Sequence, residues 1–363
     1  MPLPRMRLAA VAACLGAVAA TTPLCLDGAW LEVPRGAVER GESTPHVMCG
    51  RTPACVVHTH LSRKLCASRP RPDDWPGGAG GSSSAVVRLL EALRERTLVF
   101  VGDSITEGVW DWLVCDSHRE GLRSVRLDDA ERGTGRGRID AHVQSLRDPV
   151  MRARASAFWE AWFGASWGKE GLPLPMDTRV LAFPAARALL VFSKTHRFIE
   201  RHMAALLTVG DVFVVNYGLH YDMASASTYS SDMSRLAELS ASRLVLFRET
   251  SAQHFRGTGA YTTWSQAHTH GEKCACEAAT AATEAGNTVQ QLNEIARRQL
   301  SAVVTFLPFY NYTVQHHALH EEDYCAYESA LKRSQGCCDC SHYCYTPHMS
   351  EYATLAIVDA LAA

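Results

Sequence analysis

Apolar residues in this chain gather into short unbroken runs separated by longer stretches of mixed character. Leu98-Val-Phe-Val101, Val212-Phe-Val-Val215 and Leu244-Val-Leu-Phe247 are all rich in Val, Leu and Phe. Runs of that length, bounded by polar residues and glycine, predict strands buried on both faces. Further strands are expected at 179–183, 188–192 and 303–307. Apolar residues at helical spacing predict helices over 85–94, 105–115, 149–163, 195–207, 230–240, 278–300 and 350–361. Strands alternating with helices predict an α/β fold, a mostly parallel sheet covered by helices on both faces. Segment 116–148 is charged and Gly-rich around Gly133-Thr-Gly-Arg-Gly137. It reads as a solvated surface insertion and not as a phosphate cradle, because no strand precedes it.

The strand ends carry the candidate chemistry. The run 97–102 stops at Gly102-Asp-Ser104, and an amphipathic segment begins at once. A serine that ends a strand and opens a helix sits at the rim of the sheet, near backbone N–H groups able to hold an oxyanion. Alone, the tripeptide is a weak signal, since it equally describes a turn or a helix cap. Three more blocks add to it: Asp211-Val-Phe-Val-Val-Asn-Tyr-Gly-Leu-His220, Arg243-Leu-Val-Leu-Phe-Arg-Glu-Thr-Ser-Ala-Gln-His-Phe255, and Asp339-Cys-Ser-His342. The last supplies an acid and an imidazole three residues apart, and a single turn would set the carboxylate beside the ring nitrogen that faces away from the serine. His348 competes with His342 for that place. Together the blocks predict a Ser-His-Asp acyl-transfer site.

In this order the blocks resemble the SGNH/GDSL hydrolase superfamily. The resemblance is closer to its PC-esterase branch, which holds the plant trichome birefringence-like polysaccharide O-acetyltransferases and the animal sialate O-acetyltransferase-type proteins. It runs from about Trp30 to the C-terminus and is strongest at Gly102-Asp-Ser104 and Asp339-Cys-Ser-His-Tyr-Cys344. It implies an SGNH-like three-layer α/β/α sandwich, with Ser104 as nucleophile, His342 as general base and Asp339 as its orienting acid. It further implies an oxyanion site at Asn216, Gly218 and the Ser104 backbone N–H. His220, Arg248 and His254 are candidates for binding the acceptor at the rim, Asp103 is expected to fix the serine's loop, and His316, His317 and His320 read as ordinary surface or core histidines. In one respect the chain departs from the plant branch, which follows Gly-Asp-Ser with an apolar residue, a variable one and Arg-Asn. Here the sequence is Ile105-Thr-Glu-Gly108, closer to bacterial-type hydrolases. The implied activity is acetyl transfer to a carbohydrate hydroxyl through an acetyl-serine, with a secreted carbohydrate acetylesterase as the alternative and a non-catalytic carbohydrate-binding protein as a third class.

Composition bears on compartment. Arg5 and Arg7 precede the apolar run 8–20 and an Ala17-Val-Ala19 cleavage signal, so residues 1–19 read as a signal peptide, with a Golgi-type anchor as the alternative. Residues 20–84 read as a Cys-rich extension held by disulfides and ending in the Gly/Ser connector 76–84, and residues 85–363 as the catalytic domain. Of 13 cysteines, loss of Cys14 leaves 12, an even number suited to pairing in the secretory pathway, Golgi lumen or outside the cell. Cys and His crowd 337–344, yet the spacings do not match zinc sites, and neither metal nor cofactor is expected. Asn311-Tyr-Thr313 is an N-glycosylation sequon. A net charge of −2 gives no nucleic-acid footprint. The partners expected are a carbohydrate acceptor and an acetyl donor, with a membrane protein as one source of the acetyl groups.

Overall fold

A computed structural model describes residues 21–26, 29–34, 84–127, 136–164, 178–256, 259, 276–280, 287–317, 320–322, 339–343 and 347–363. At 21–34, and at several element ends including Asp339, Pro347 and His348, the backbone alone is described. The first two strands, β1 (Thr21–Leu26) and β2 (Ala29–Pro34), form an antiparallel hairpin. The rest of the N-terminal extension, with its cysteines and the connector, lies outside the described residues.

The remaining elements run α1 (Ala85–Ala92), β3 (Thr97–Gly102), α2 (Ser104–Arg119), β4 (Val125–Arg126), α3 (Arg136–Ser145), α4 (Pro149–Gly164), β5 (Thr178–Phe183) and β6 (Ala188–Lys194). Then follow α5 (Glu200–Leu207), β7 (Val212–Val215), α6 (Ala226–Ser240), β8 (Leu244–Arg248), α7 (Thr288–Leu300), β9 (Thr305–Leu307), α8 (Tyr310–Thr313), β10 (His320–Glu322), β11 (Asp339–Tyr343) and α9 (Pro347–Ala362). Seven strands form one sheet in the order β4-β5-β6-β3-β7-β8-β9. The five from β6 to β9 are parallel, and β4 and β5 run antiparallel at one edge. This is an α/β fold with a mostly parallel sheet, as expected.

Because strand side chains alternate between faces, each apolar run supplies two layers. Leu98 and Phe100 of β3, with Val212 and Val214 of β7, face α1, α2 and α9. Val99 and Val101, with Phe213 and Val215, face the layer of α4 to α7. Phe158 and Trp159 of α4 are part of that second core. β10 and β11 lie apart from the main sheet as a short antiparallel pair, and β11 packs against α2.

Several boundaries differ from the sequence reading. The helix expected over 278–300 starts at Thr288, because the Asn287 side chain accepts from the N–H groups of Val289 and Gln290. Residues 276–280 are not helical: Cys276 is disulfide-bonded to Cys340, and Glu277 N–H donates to His254 O. The helix expected from Thr195 starts at Glu200, since Thr195 N–H is held by Gly102 O and Phe198 N–H by Tyr221 Oη. Segment 116–148, read as a loop insertion, holds the end of α2, the edge strand β4 and α3.

His202 of α5 is buried with Nε2 2.7 Å from Ser193 Oγ of β6. Burial pulls its pKa down from 6.5 to about 4. A histidine held neutral by the fold gives stability that is complete above 6.5 and is lost as pH falls toward about 4, on the order of 3 kcal/mol in all. Denaturant melts between neutral pH and about pH 4 should therefore show His202→Gln losing less stability on acidification than the wild type. An equal loss in both would show that His202 carries none of the acid sensitivity.

Candidate active site

Ser104 is placed by the way β3 ends. Asp103 is buried, and its Oδ1 accepts from Ile105 N–H at 3.0 Å while its carbonyl accepts from Glu107 N–H. The aspartate thus caps the helix and leaves the Ser104 hydroxyl free of that duty. Ser104 becomes the first residue of α2, half-buried at the rim, where the first N–H groups of a helix have no carbonyl of their own.

His342 comes from β11, 238 residues away in sequence, and its Nε2 lies 2.6 Å from Ser104 Oγ. With Nε2 unprotonated, the hydroxyl donates to it, the arrangement in which an imidazole can take a serine proton. The strand carrying His342 is fixed from several sides. Cys340 is bonded to Cys276, and Cys340 O accepts from His254 N–H. Gln253 Nε2 donates to Ser341 Oγ, and Tyr343 Oη donates to Ala252 O. The expected disulfide restraint on the C-terminal block is present at Cys276–Cys340.

Asp339 begins the same strand, so the single turn expected between it and His342 is not formed. The side chains of Asp339 and His348 lie outside the described residues.

The other candidates divide. His220 is exposed at the end of the β7 segment, its ring stacked on His196 with centroids 4.2 Å apart. Partial withdrawal from water lowers its pKa; Asp103 opposes that shift, and His196, His342 and Arg197 add to it. Arg197 Nε donates to His220 O. Gly218 is buried at a close approach, since a Cβ there would stand 2.0 Å from Thr250 Oγ1. Asn311 is exposed on α8, while Thr313 of its sequon is wholly buried, accepting from Ala252 N–H and donating to Phe309 O.

Three expectations are corrected by burial. Asn216 is wholly buried, and its amide donates to Arg248 O at 2.8 Å and Thr250 Oγ1 at 3.0 Å. Both amide protons therefore already have acceptors across the β7–β8 junction, and the side chain offers none to an oxyanion. Arg248 is not a rim residue. Its guanidinium lies buried behind the first turn of α2, donating to Thr106 Oγ1 and Glu249 O and covering the Phe309 ring at 4.8 Å. Burial pulls its pKa down to about 10, against the pull of Asp103 and Glu249. His254 is also buried, between His320 Nε2 and Val314 O. In all three cases a polar residue in the segment after an apolar run looks the same in sequence whether it faces solvent or the interior.

Sequence reasoning missed His196, His320 and Glu249. Glu249 accepts from the N–H groups of Phe309 and Tyr310 and pairs with Arg297, tying β8 to the start of α8. A second buried group lies along α2, where Glu107 and Asp111 pair with Arg179 and Lys194.

Comparison with known proteins gives one finding. The PC-Esterase family model, described as a GDSL/SGNH-like acyl-esterase family found in Pmr5 and Cas1p, matches residues 85–347. Among curated proteins the comparison finds no match.

Arg248→Ala would remove the donor to Thr106 and leave a buried void beside Asp103, costing about 3 kcal/mol in denaturant melts. Acyl transfer to an acceptor and hydrolysis of a small ester should fall together. A selective loss of transfer, with the melt unchanged, would return Arg248 to acceptor binding.

Proposed function

As the chain belongs to the PC-esterase family, and is thus an acyl-esterase or acyltransferase of the SGNH type, we propose that it transfers acetyl groups to a carbohydrate hydroxyl through an acetyl-serine on Ser104. The observation that carries this reading is the 2.6 Å contact between Ser104 Oγ and His342 Nε2. Its place at the mouth of the parallel strands, where open α/β sheets hold their sites, supports it.

In this mechanism His342 Nε2 takes the hydroxyl proton as Ser104 Oγ attacks the acetyl carbonyl. The developing oxyanion is held by backbone N–H groups, that of Ser104 at the start of α2 and that of Gly218 after β7. The close approach of Gly218 to Thr250 fixes the second of these. His342 then returns its proton to the departing oxygen of the donor. In the second half, His342 removes a proton from the accepting hydroxyl, the acetyl group passes to that oxygen, and Ser104 Oγ recovers its proton. Asp339 is proposed to orient His342, in keeping with the order of the blocks. Asn216 and Arg248 act in this account as supports of the strand ends, not as donors to the reacting group.

What accepts the acetyl group separates transferase from esterase. Water is present at about 55 M, and an oriented hydroxyl can exceed it because positioned groups reach effective molarities of roughly 10⁵ M or more. The stacked pair of half-buried His196 and exposed His220, beside exposed Arg197, is a described part of the rim suited to hold a sugar face. The esterase alternative draws on Ile105-Thr-Glu-Gly108, the point at which the chain parts from the plant transferases.

Ser104→Ala and His342→Ala should each lower turnover of an activated acetyl ester by roughly 10⁴- to 10⁶-fold, and the double variant should be little worse, because the two act as a unit. His220→Ala should then lower transfer to xylan-like oligosaccharides more than it lowers hydrolysis. Full activity in His342→Ala would remove the assigned base. Equal loss of transfer and hydrolysis in His220→Ala, with no acceptor competing against water, would replace transfer by hydrolysis.

A further inference from the structure

Behind His342 lies a chain of two buried imidazoles that the mechanism does not use. His254 Nε2 is 2.9 Å from Val314 O, His254 Nδ1 is 2.6 Å from His320 Nε2, and His320 Nδ1 is 2.8 Å from the backbone carbonyl of His342. Both rings are withdrawn from water, with relative exposures of 1% and 0%. Their main chains are anchored as well. His254 N–H donates to Cys340 O, His254 O accepts from Glu277 N–H, and His320 pairs with Tyr343 across β10 and β11.

The protons on this chain can be counted. Each end is a carbonyl oxygen, which only accepts, so the facing nitrogen of each ring must carry hydrogen. The contact in the middle, nitrogen to nitrogen, needs a third. Two neutral imidazoles carry one N–H each and therefore supply only two. The arrangement is closed by one added proton and one positive charge shared by the pair. Without it, one of the three contacts sets lone pair against lone pair, which is repulsive at these distances and must open.

We propose that His254 and His320 form a proton-dependent clamp on the backbone of His342, making both of them positioning residues for the base. The proposal rests on the reading of His342 as the base; the proton count does not. Burial pulls His254 down to about 4; the bond to Val314 O opposes this, and His317 and His316 add to it. Among the described side chains Tyr343 also faces the pair, its ring 4.0 Å from that of His320. The sign follows from the lowered pKa. The added proton enters only as pH falls below imidazole's usual 6.5 toward about 4, where the clamp is shut. Above that range the pair is neutral and one contact is released. The two rings share the proton, so they titrate as a unit and not as separate sites.

The test uses the full chain with ¹⁵N-labelled histidine, together with His320→Asn and His320→Gln, which can each keep one donor and can take up no proton. Imidazole nitrogen shifts followed from neutral pH to about pH 4 should show His254 and His320 gaining one proton between them. Uptake of none, or of two, would overturn the clamp. For ester hydrolysis, the ratio of wild-type to variant kcat/KM should be largest at the acid end, several-fold, and should approach one at neutral pH. A ratio that stays constant with pH would reduce the pair to a structural contact and also overturn the proposal. A chain that shows the one-proton uptake but no acyl chemistry would instead refute the reading of the site while leaving the clamp in place. If the two substitutions unfold the protein, His254→Gln offers the same ratio, and the wild-type proton count still decides.

Discussion

The site depends on a close approach at the end of the central strand. Gly102 is the last residue of β3, and a Cβ there would stand 2.3 Å from Thr106 Oγ1 and 2.7 Å from Asn216 O. No side chain fits between those atoms. The missing Cβ lets the first turn of α2 fold directly against the ends of β3 and β7. Asp103 then caps the helix within a buried corner, and Ser104 is carried to the rim without a connecting loop. Arg248 reaches the same corner from β8 and donates to Thr106, so the ends of three adjacent strands are tied to one helical turn.

Around that corner, polar groups hold the backbone. Asn216 links β7 to β8, Glu249 links β8 to α8, and Asn293 of α7 accepts from Thr250 N–H and donates to Thr250 O. Each is buried and hydrogen-bonded, which low dielectric makes strong when complete and costly when broken. On the other side of Ser104, His342 is brought in by a strand outside the main sheet, fixed by a disulfide and by contacts to residues 252–254. The nucleophile is thus set by the sheet and the imidazole by a separately restrained block. Their 2.6 Å contact joins the two.

Much of this was legible in the chain. The runs at 98–101, 212–215 and 244–247 read as buried strands because every residue in them except the exposed Leu244 packs against one layer or the other. Ser104 and His342 stood out because a serine at a strand-to-helix junction and an imidazole late in the chain are chemically suited to each other. What failed was the direction of polar side chains. Arg248 and His254 follow an apolar run, and sequence alone does not distinguish a rim from a buried corner reached by a bend after the strand. Asn216 read as a free donor because its two acceptors lie 32 and 34 residues away. The turn expected at Asp339 formed as a strand, since β10 pairs with that segment and pairing of this kind is non-local. His320 carried no signal at all; only the fold sets it between His254 and His342.

The central claim is that Ser104 becomes acylated with His342 as its base. The most direct measurement mixes the chain with an activated acetyl ester, quenches in acid on the timescale of a single turnover, and maps the modified peptide by mass spectrometry. The account predicts an acetyl group on Ser104 that forms and decays at rates competent for turnover. Turnover with no such species, or with the acetyl group on another residue, would contradict it.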